Sequence, residues 1–196
     1  MSSTAANLLE LVNDLLTLWR SEKQTSDEWR RFDVTESVRH VVDGLRHQAS
    51  RKGVALSVSG DSIDVMGNNH HVERAIMNLV SNAVKFTGAG GSVTVVSERS
   101  DDKVRVSVAD TGIGIAADEQ DAVFDRFFRA GSATSASIPG TGLGLPIVRE
   151  IAVAHGGDVK LQSVLGHGTF VLFEIPVAPP AVAEAVTGDA IEVAAK

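Results

Sequence analysis

Apolar residues recur along the chain at two spacings, which predict a mixture of helices and strands. Spacings of three and four, typical of an amphipathic helix, occur in about 5–22, after Thr35, in 69–86 and in 143–154, and a shorter helix is expected near 118–126. Alternating or short apolar runs, typical of strands, occur in 29–34, 54–58, 62–66, 92–98, 103–109, 158–164 and 169–177. Thr35 is expected to cap the second helix. The mixed order predicts an α+β fold, a two-layer α/β sandwich with one sheet covered by helices on one face.

The first 26 residues carry a helical stripe that needs a partner. Apolar side chains recur from Leu8 to Trp19, and a single helix of this length is marginal in water. The stripe packs either on the chain's own core or in a bundle with another chain, which would make a homodimer through Leu8–Trp19. A main domain is expected over residues 27–178. The alanine-rich residues 179–196 are expected to be a disordered tail.

Composition narrows the classes of function. The 196 residues contain no cysteine, which excludes disulfide frameworks, thiolate metal sites and cysteine nucleophiles. The formal net charge of −7 argues against nucleic acid as a partner, because such binding depends on neutralising phosphates. No apolar run of about 18 residues occurs, so no membrane segment is expected in this chain. Its beginning also lacks the basic leader of a secretory signal, so the expected location is cytoplasmic.

Two asparagines and a lysine share one face of the helix predicted over residues 69–86. Asn78, Asn82 and Lys85 are spaced i, i+4 and i+7, whereas the opposite face is apolar. Asparagine offers a neutral oxygen to a hard cation, and Mg²⁺ takes oxygen ligands alongside substrate phosphates. This asparagine face is therefore a candidate phosphate and metal site. In isolation, the same three residues would also fit a solvated helix face.

A carboxylate followed by two glycines ends the strand predicted at 103–109. This first glycine motif, Asp110–Ile115, carries Gly112 and Gly114 one residue apart. Glycines allow the backbone to approach a flat ring closely. Asp110 offers an acceptor for which an adenine amino group is a fitting donor. A plain Asp-Thr-Gly turn is the alternative interpretation.

A second glycine motif, Gly140–Leu145, opens the helix predicted at 143–154. Glycines that lead into a helix expose backbone N–H groups to an anion, with help from the helix dipole. The motif is not a P-loop, because no Lys-Ser or Lys-Thr pair follows, and it lacks the dinucleotide-binding fingerprint. By itself it is a weak indication of an anion site.

Two more motifs complete an ordered set of five. Phe124–Arg129 places three aromatic side chains and two arginines ahead of a stretch of small and polar residues at 130–139, and Gly166–Phe170 is a glycine turn into the last strand. In this order the five motifs resemble the asparagine, glycine and phenylalanine boxes of the catalytic ATP-binding domain of sensor histidine kinases. That domain belongs to a wider ATPase group with gyrase B, heat-shock protein 90 and a mismatch-repair ATPase. The resemblance covers about residues 29–176.

The resemblance implies a Bergerat-type ATP-binding fold with a mixed sheet and with ATP and Mg²⁺ as cofactors. Residues 1–26 would be a linker and a remnant of the second helix of the dimerisation and phosphotransfer hairpin, and residues 27–178 the catalytic domain. At the base-binding end, Asp110 would accept the adenine amino hydrogen. Gly112 and Gly114 would make room for the base, and Thr169 would support the pocket from a neighbouring strand.

At the phosphate end, the resemblance assigns Mg²⁺ to the side-chain oxygen of Asn82. Asn78 and Lys85 would lie near the phosphates and take part in catalysis. The family places a glutamate at the position of Asn78 in members that hydrolyse ATP, where it acts as general base. An asparagine amide is not basic near neutral pH, so transfer of the γ-phosphoryl group to a protein is expected instead of hydrolysis.

The resemblance also implies a lid over about residues 129–145. Its phosphate-facing end would be formed by Gly140, Gly142, Leu143 and Gly144. Arg126 or Arg129 would reach the terminal phosphate, and Arg129 is counted among the catalytic residues. The resemblance leaves the choice between the two arginines open.

The chain departs from the family pattern in its histidines. The phosphoacceptor normally lies next to an acidic residue and shortly before a proline, and none of the six histidines has that context. We therefore expect a histidine kinase of two-component signalling whose acceptor lies on a partner chain or on a further segment, with a response regulator downstream. The alternatives are a non-catalytic nucleotide-binding module, a gyrase-type hydrolase, which Asn78 disfavours, and a serine kinase of the anti-sigma-factor kind.

Overall fold

A computed structural model describes residues 29–135 and 138–178 of the chain. The helix predicted at 5–22, the stripe Leu8–Trp19 and the tail 179–196 lie outside the described residues. Within them, the helices are α1 (Val34–Lys52), α2 (Asn69–Phe86), α3 (Gly131–Ser135) and α4 (Gly144–Ala154). The strands are β1 (Arg30–Asp33), β2 (Ala55–Ser59), β3 (Asp64–Gly67), β4 (Ser92–Ser100), β5 (Lys103–Asp110), β6 (Asp158–Val164) and β7 (Gly168–Pro176).

The main sheet has five strands in the order β2-β4-β5-β7-β6. Strand β2 runs parallel to β4, and the other neighbours are antiparallel, so the sheet is mixed as expected. Strands β1 and β3 form a separate antiparallel pair. Along β5 the residues Val104, Val106 and Val108 are buried while those between them are half-buried. This alternation is typical of a sheet with one face on the core, and the prediction of a two-layer α+β sandwich is confirmed.

Helices α1, α2 and α4 cover the buried face of the sheet. Their apolar stripes join the strand valines in one core, in which Val38, Ile76 and Ile151 are fully buried. The asparagine face of α2 is turned away from this core. The periodicity of the sequence therefore places three polar side chains at the margin of the core, where a ligand can reach them.

Helix α1 begins at Val34, two residues earlier than it would with Thr35 as its cap, so that prediction is wrong. Asp33 has an extended backbone, and its carboxylate accepts hydrogen bonds from the N–H groups of Thr35 and Glu36. Thr35 is fully buried, and its hydroxyl donates to the carbonyl of Asp61 at 2.6 Å. An aspartate in an extended conformation is as good an N-cap as threonine, and here it stands first in the chain.

The segment between β5 and α4 differs from the prediction in two places. The short helix expected near 118–126 is instead two 3₁₀ turns, Ala117–Glu119 and Ala122–Phe124. Each ends in an i→i+3 backbone bond, as in the bond from Asp125 N–H to the Ala122 carbonyl at 2.9 Å. Helix α3 was not predicted, because its five residues Gly131–Ser135 are small and polar and show no periodicity.

Candidate nucleotide-binding site

A cavity of about 810 Å³ lies between α2, α4, the ends of β5 and β7, and the segment that contains α3. Its size falls within the range of about 300–1,000 Å³ that is typical of small-molecule sites. The wall combines polar groups on α2 with apolar side chains of the sheet, including Val108 and Val171. Such a wall suits a ligand with one flat apolar part and one charged part.

The three residues of the asparagine face all line this cavity, as their helical spacing predicts. Asn78, Asn82 and Lys85 form one wall together with the neighbouring turn of α2. The side-chain Nδ2 of Asn78 is buried and has no hydrogen-bond partner in the described part of the chain. A buried donor without a partner costs about 1–3 kcal/mol, which a ligand oxygen at this position would recover.

The second glycine motif lies directly against the asparagine face. A Cβ on Gly140 would stand 2.8 Å from the Nζ of Lys85, and one on Gly144 would stand 3.3 Å from the Nδ2 of Asn82. Any larger residue would therefore occupy space beside these polar groups. Gly142 also lines the cavity. Leu143 does not, because its side chain is fully buried in the core.

Asp110 also lines the cavity, at the end of β5. One carboxylate oxygen accepts hydrogen bonds from Gly112 N–H at 2.8 Å and Thr169 N–H at 3.3 Å. Burial raises the pKa of Asp110, and these two hydrogen bonds offset only part of that rise. A carboxylate that is half withdrawn from water in a cavity is the kind of group that binds a ligand donor.

The two glycines of the first motif have different positions relative to the cavity. Gly114 lines the wall with a φ of 63°, and a Cβ there would meet the Val164 carbonyl oxygen at 2.1 Å. Only glycine fits this conformation and this space. Gly112 is not on the wall, and it acts through its N–H bond to Asp110. Thr169 lines the wall beside Asp110.

The structure distinguishes the two candidate arginines. Arg129 lines the cavity, and its guanidinium donates to the Ile138 carbonyl within the same segment. The guanidinium of Arg126 is instead paired with the Glu150 carboxylate of α4, at 2.6 Å, and Arg126 is not on the cavity wall. Of the two arginines, the cavity wall therefore includes Arg129, and contact of either arginine with a terminal phosphate stays a prediction.

The segment around α3 covers part of the cavity and is hydrogen-bonded to residues at its rim. The Gly131 N–H donates to the Glu119 carboxylate at 2.9 Å, and the Ser132 hydroxyl donates to the Gly114 carbonyl at 2.9 Å. Ser132 also lines the cavity. Glu119 and Ser132 were not singled out from the sequence. Both contacts join residues more than ten positions apart in a region without periodicity, so no local signal marks them.

Helix α1 supplies two further wall residues that sequence reasoning missed, Gln48 and Lys52. The Nζ of Lys52 donates to the Val84 carbonyl at 3.0 Å and to the Lys85 carbonyl. Burial lowers the pKa of Lys52. Lys52 thus satisfies carbonyls at the end of α2 next to the asparagine face. A lysine in the last turn of a helix is common, and nothing in the sequence shows that it reaches a second helix.

Among residues 29–135 and 138–178, no helix has the length and apolar character needed to cross a bilayer. Nor does that part of the chain contain a cluster of three or more histidine, aspartate, glutamate or cysteine side chains suited to a metal ion. The cavity wall does include the amide groups of Asn78 and Asn82, and amide oxygens are among the ligands that Mg²⁺ accepts alongside phosphate oxygens.

Comparison with known proteins agrees with this geometry. Residues 67–179 match the family model described as histidine kinase-, DNA gyrase B-, and HSP90-like ATPase. Sensor histidine kinase RppB of Synechocystis is 34% identical over 173 residues, which are 87% of this chain and 38% of that protein. Histidine protein kinase DivJ of Caulobacter vibrioides is 36% identical over 177 residues, which are 89% of this chain and 30% of that protein. The chain therefore spans about a third of the length of these relatives.

Solved structures show the same fold. The nucleotide-free catalytic domain of histidine kinase ThkA has a TM-score of 0.68 and 30% identity, covering 78% of this chain and 99% of that one. Full-length ShkA in complex with AMPPNP has a TM-score of 0.75 and 33% identity, covering 89% of this chain and 37% of that one. The chain belongs to the histidine kinase-, DNA gyrase B- and HSP90-like ATPase family and is the ATP-binding catalytic part of a sensor histidine kinase.

Proposed function

We propose that this domain holds Mg²⁺-ATP in the cavity and transfers its γ-phosphoryl group to a histidine on a partner chain or a further segment. The observation that carries the proposal is that the asparagine face, Asn78, Asn82 and Lys85, lines the same cavity as Asp110. A nucleotide has a flat base that carries an amino donor and a polyphosphate that needs cations and N–H donors. The wall of the cavity offers both kinds of group.

The base would lie at the Asp110 end. The carboxylate would accept the adenine amino hydrogen, Gly112 would hold the carboxylate through its N–H, and Gly114 would leave room for the ring. Thr169 would line the same end, and Val108 and Val171 would contact the faces of the base. ShkA, solved with the ATP analogue AMPPNP, supports a nucleotide as the ligand of this cavity.

The phosphates would lie between the asparagine face and the second glycine motif. The Nδ2 of Asn78, which lacks a hydrogen-bond partner, would donate to a phosphate oxygen. Lys85 and Arg129 would neutralise charge as it develops during transfer. Backbone groups would come from Gly140, Gly142, Leu143 and Gly144. The N–H of Leu143 now donates to the Thr141 hydroxyl at 3.2 Å, so this bond would have to open first.

Magnesium fits the donors present at this end. Asn82 would hold the ion through its amide oxygen, because Mg²⁺ prefers oxygen ligands and is usually shared with substrate phosphates. When bound, the ion would neutralise phosphate charge. The neutral amide supplies one ligand without repelling the nucleotide, whereas a cluster of carboxylates would compete with it for the ion.

Transfer to a protein, and not hydrolysis, follows from the side chain at position 78. An amide cannot take a proton from an attacking water, so Asn78 cannot serve as general base. Positioning and charge neutralisation suffice for transfer once an acceptor nitrogen is in place. The implied partners are a histidine-bearing dimerisation and phosphotransfer segment and a response regulator downstream. Residues 1–26 would be part of that hairpin with its linker, and residues 27–178 would be the catalytic domain.

The first test is the affinity of the full chain for Mg²⁺-AMPPNP, measured by calorimetry. Asp110→Ala removes the acceptor at the base end and is expected to weaken binding by ~10- to 150-fold, the range for loss of a hydrogen bond to a charged group. Asp158→Ala, which removes an exposed carboxylate from the edge strand β6, is the matched control. Unchanged affinity for Asp110→Ala would exclude this orientation of the nucleotide.

The second test separates the metal role of Asn82 from a structural one. Asn82→Ala is expected to weaken AMPPNP binding more in the presence of Mg²⁺ than in the presence of a chelator. An equal loss in both conditions would leave Asn82 without a metal role.

The third test concerns the reaction itself. Acid-labile label should pass from γ-labelled ATP to an added histidine-bearing hairpin fragment, with little label on this chain. Steady release of free phosphate would favour a hydrolase, and binding without any transfer to acceptor fragments would favour a non-catalytic nucleotide-binding module.

A further inference from the structure

Three polar side chains form a row across neighbouring strands at the base end of the cavity. Asp110 on β5 pairs with Thr169 on β7, and Thr169 pairs with Ser163 on β6. Each lies two residues from a cavity-lining apolar residue of its own strand, namely Val108, Val171 and Leu161. Since side chains alternate along a strand, all three point to the helix-covered face of the sheet, where the cavity lies.

The hydroxyl of Ser163 has three neighbours, and only one arrangement of protons satisfies all of them. Its oxygen accepts from the Ile115 N–H at 2.9 Å, and it lies 2.8 Å from the Gly168 carbonyl and 2.9 Å from the Thr169 hydroxyl. A carbonyl can only accept, so the single proton of Ser163 goes to Gly168. The contact with Thr169 then requires that Thr169 donate its proton to Ser163.

Ser163 is held in place for this role by Gln120. The Gln120 amide donates to the Ser163 carbonyl at 2.8 Å and accepts from the Ser163 N–H at 3.3 Å. The serine backbone is therefore fixed on both sides, and its hydroxyl makes its full complement of bonds, two accepted and one donated. While these bonds persist, the contact between the two hydroxyls directs the proton of Thr169 to Ser163.

We propose that Ser163 sets the hydrogen-bonding character of Thr169 and thereby makes the site selective for a 6-amino purine over a 6-oxo purine. Because its proton is committed to Ser163, the Thr169 hydroxyl can only accept from a ligand. The ionised carboxylate of Asp110 also can only accept. This end of the cavity thus offers acceptors to the amino group of adenine. The oxygen of a 6-oxo purine, which is also an acceptor, would lack a donor there.

This inference rests on the proposed nucleotide function and adds to it a residue that does not line the cavity. Ser163 would be a positioning residue that acts through Thr169. Without the serine hydroxyl, the Thr169 proton could turn toward the cavity and donate to a 6-oxo group. The change expected is therefore in the preference between two bases, which a general loosening of the site would not produce.

The test compares Mg²⁺-ATP and Mg²⁺-ITP by calorimetry on the full chain. The two bases differ in the group at purine position 6 and in the proton that a 6-oxo purine carries on N1. Wild type is expected to bind ATP more tightly. Ser163→Ala is expected to reduce the ATP-to-ITP preference by ~5- to 10-fold, the equivalent of one neutral hydrogen bond, through tighter binding of ITP. Ser163→Thr keeps the hydroxyl and is expected to retain the wild-type preference.

Two further variants keep the test decisive. In Ser163→Ala combined with Thr169→Val, no hydroxyl remains to donate, so ITP binding should not improve. If Ser163→Ala does not fold, Ser163→Cys keeps the approximate volume with only weak hydrogen bonding, and the same gain for ITP is expected. An unchanged preference in Ser163→Ala, or in Ser163→Cys if the alanine variant does not fold, overturns the inference alone, provided that the variant binds ATP. Failure of wild type to bind either nucleotide overturns the proposed function and this inference together.

Discussion

The imidazole of His155 stacks on the indole of Trp29, with ring centroids 5.2 Å apart and planes inclined by 18°. Its Nε2 accepts from the Asn68 N–H at 3.1 Å, and its Nδ1 lies 2.8 Å from the Ile151 carbonyl. Since the carbonyl only accepts, Nδ1 carries the proton and the ring is neutral. One buried side chain thus connects Trp29 at the entry to the domain, the N-cap of α2 and the end of α4.

The neutral state of His155 predicts a loss of stability in acid. Burial lowers the pKa of His155, and the hydrogen bond to Ile151 offsets only part of that effect. The unfolded chain therefore binds a proton more readily than the folded one below about pH 6.5, the ordinary histidine value. The contribution of His155 is fully present above that pH and declines as the pH falls below it.

The measurement is urea unfolding of wild type and His155→Phe between pH 8 and pH 5. At pH 8 the variant should be less stable by ~1–3 kcal/mol, because the Asn68 N–H loses its acceptor. Its stability should fall less than that of wild type between pH 7 and pH 5. His47→Gln, on the exposed face of α1, is the control. Parallel pH profiles for wild type and His155→Phe would contradict the assignment of a buried neutral ring.

The ionised carboxylate of Asp110 is expected to lower the free energy of unfolding of the domain, although it contributes to nucleotide binding. Its pKa is raised by burial, so the folded state favours the protonated carboxyl, and ionisation at neutral pH works against folding. Asp110→Asn keeps an oxygen for the N–H groups of Gly112 and Thr169 while removing the charge. At pH 7.5 the variant should be at least as stable as wild type, yet bind Mg²⁺-AMPPNP ~10- to 150-fold more weakly.

Urea unfolding and calorimetry on the same preparations check both halves of this prediction. Any advantage of Asp110→Asn should shrink as the pH falls through the pKa of Asp110, because wild type then also carries a neutral side chain. A variant that is clearly less stable than wild type at pH 7.5 would show that the carboxylate stabilises the fold.

Features that depend on neighbouring positions in the chain could be predicted from the sequence. The asparagine face follows from the 3.6-residue period of one helix, and the structure places Asn78, Asn82 and Lys85 on one wall. The sandwich and the mixed sheet were expected and are confirmed. By contrast, both the N-cap at Asp33 and the pairing of Arg126 with Glu150 depend on a choice between nearby groups that only the folded backbone decides.

Features that depend on strand register could not be predicted in this way. Asp110 and Thr169 are 59 positions apart and meet only because β5 pairs with β7. Their joint role came from the resemblance to a family and not from spacing. Ser163 was missed altogether, since a serine in an exposed edge strand carries no signal until its hydroxyl is seen between Ile115 and Gly168.

Gly44 offers a stabilising substitution that leaves the cavity unchanged. It lies inside α1 on an exposed face, and a Cβ there would meet nothing within 4 Å. Gly44→Ala should raise the free energy of unfolding by about 0.5–1 kcal/mol, because alanine loses less backbone freedom in a helix. Gly90 is the contrasting control, since its surroundings are equally open but its φ is 84°.

In urea unfolding, the free energy of unfolding should be higher for Gly44→Ala than for wild type and lower for Gly90→Ala. The nucleotide affinity of Gly44→Ala should be unchanged. If both variants shift in the same direction, open space and not backbone conformation would be the deciding factor.

Gly142 holds the second glycine motif against the phenylalanine motif, and its replacement should displace the cover of the cavity. Its φ is 73°, and a Cβ there would stand 2.7 Å from the carbonyl carbon of Phe127 and from the carbonyl oxygen of Phe128. The Gly142 carbonyl also accepts from the Phe127 N–H at 3.0 Å. Since the obstructing atoms are backbone, no side-chain rotation relieves the clash, and the segments must separate.

Gly142→Ala is therefore expected to weaken Mg²⁺-AMPPNP binding by roughly 10- to 100-fold, because small displacements of positioning groups have large effects. The same separation should speed trypsin cleavage after Arg129, on the cavity rim. Gly88→Ala is the control, since a Cβ there meets nothing within 4 Å and its φ is not positive. Trypsin should cleave Gly140→Ala at the same rate as wild type, because a Cβ at this position would meet only the mobile end of the Lys85 side chain. Wild-type affinity and cleavage in Gly142→Ala would mean that the cover of the cavity does not depend on this contact.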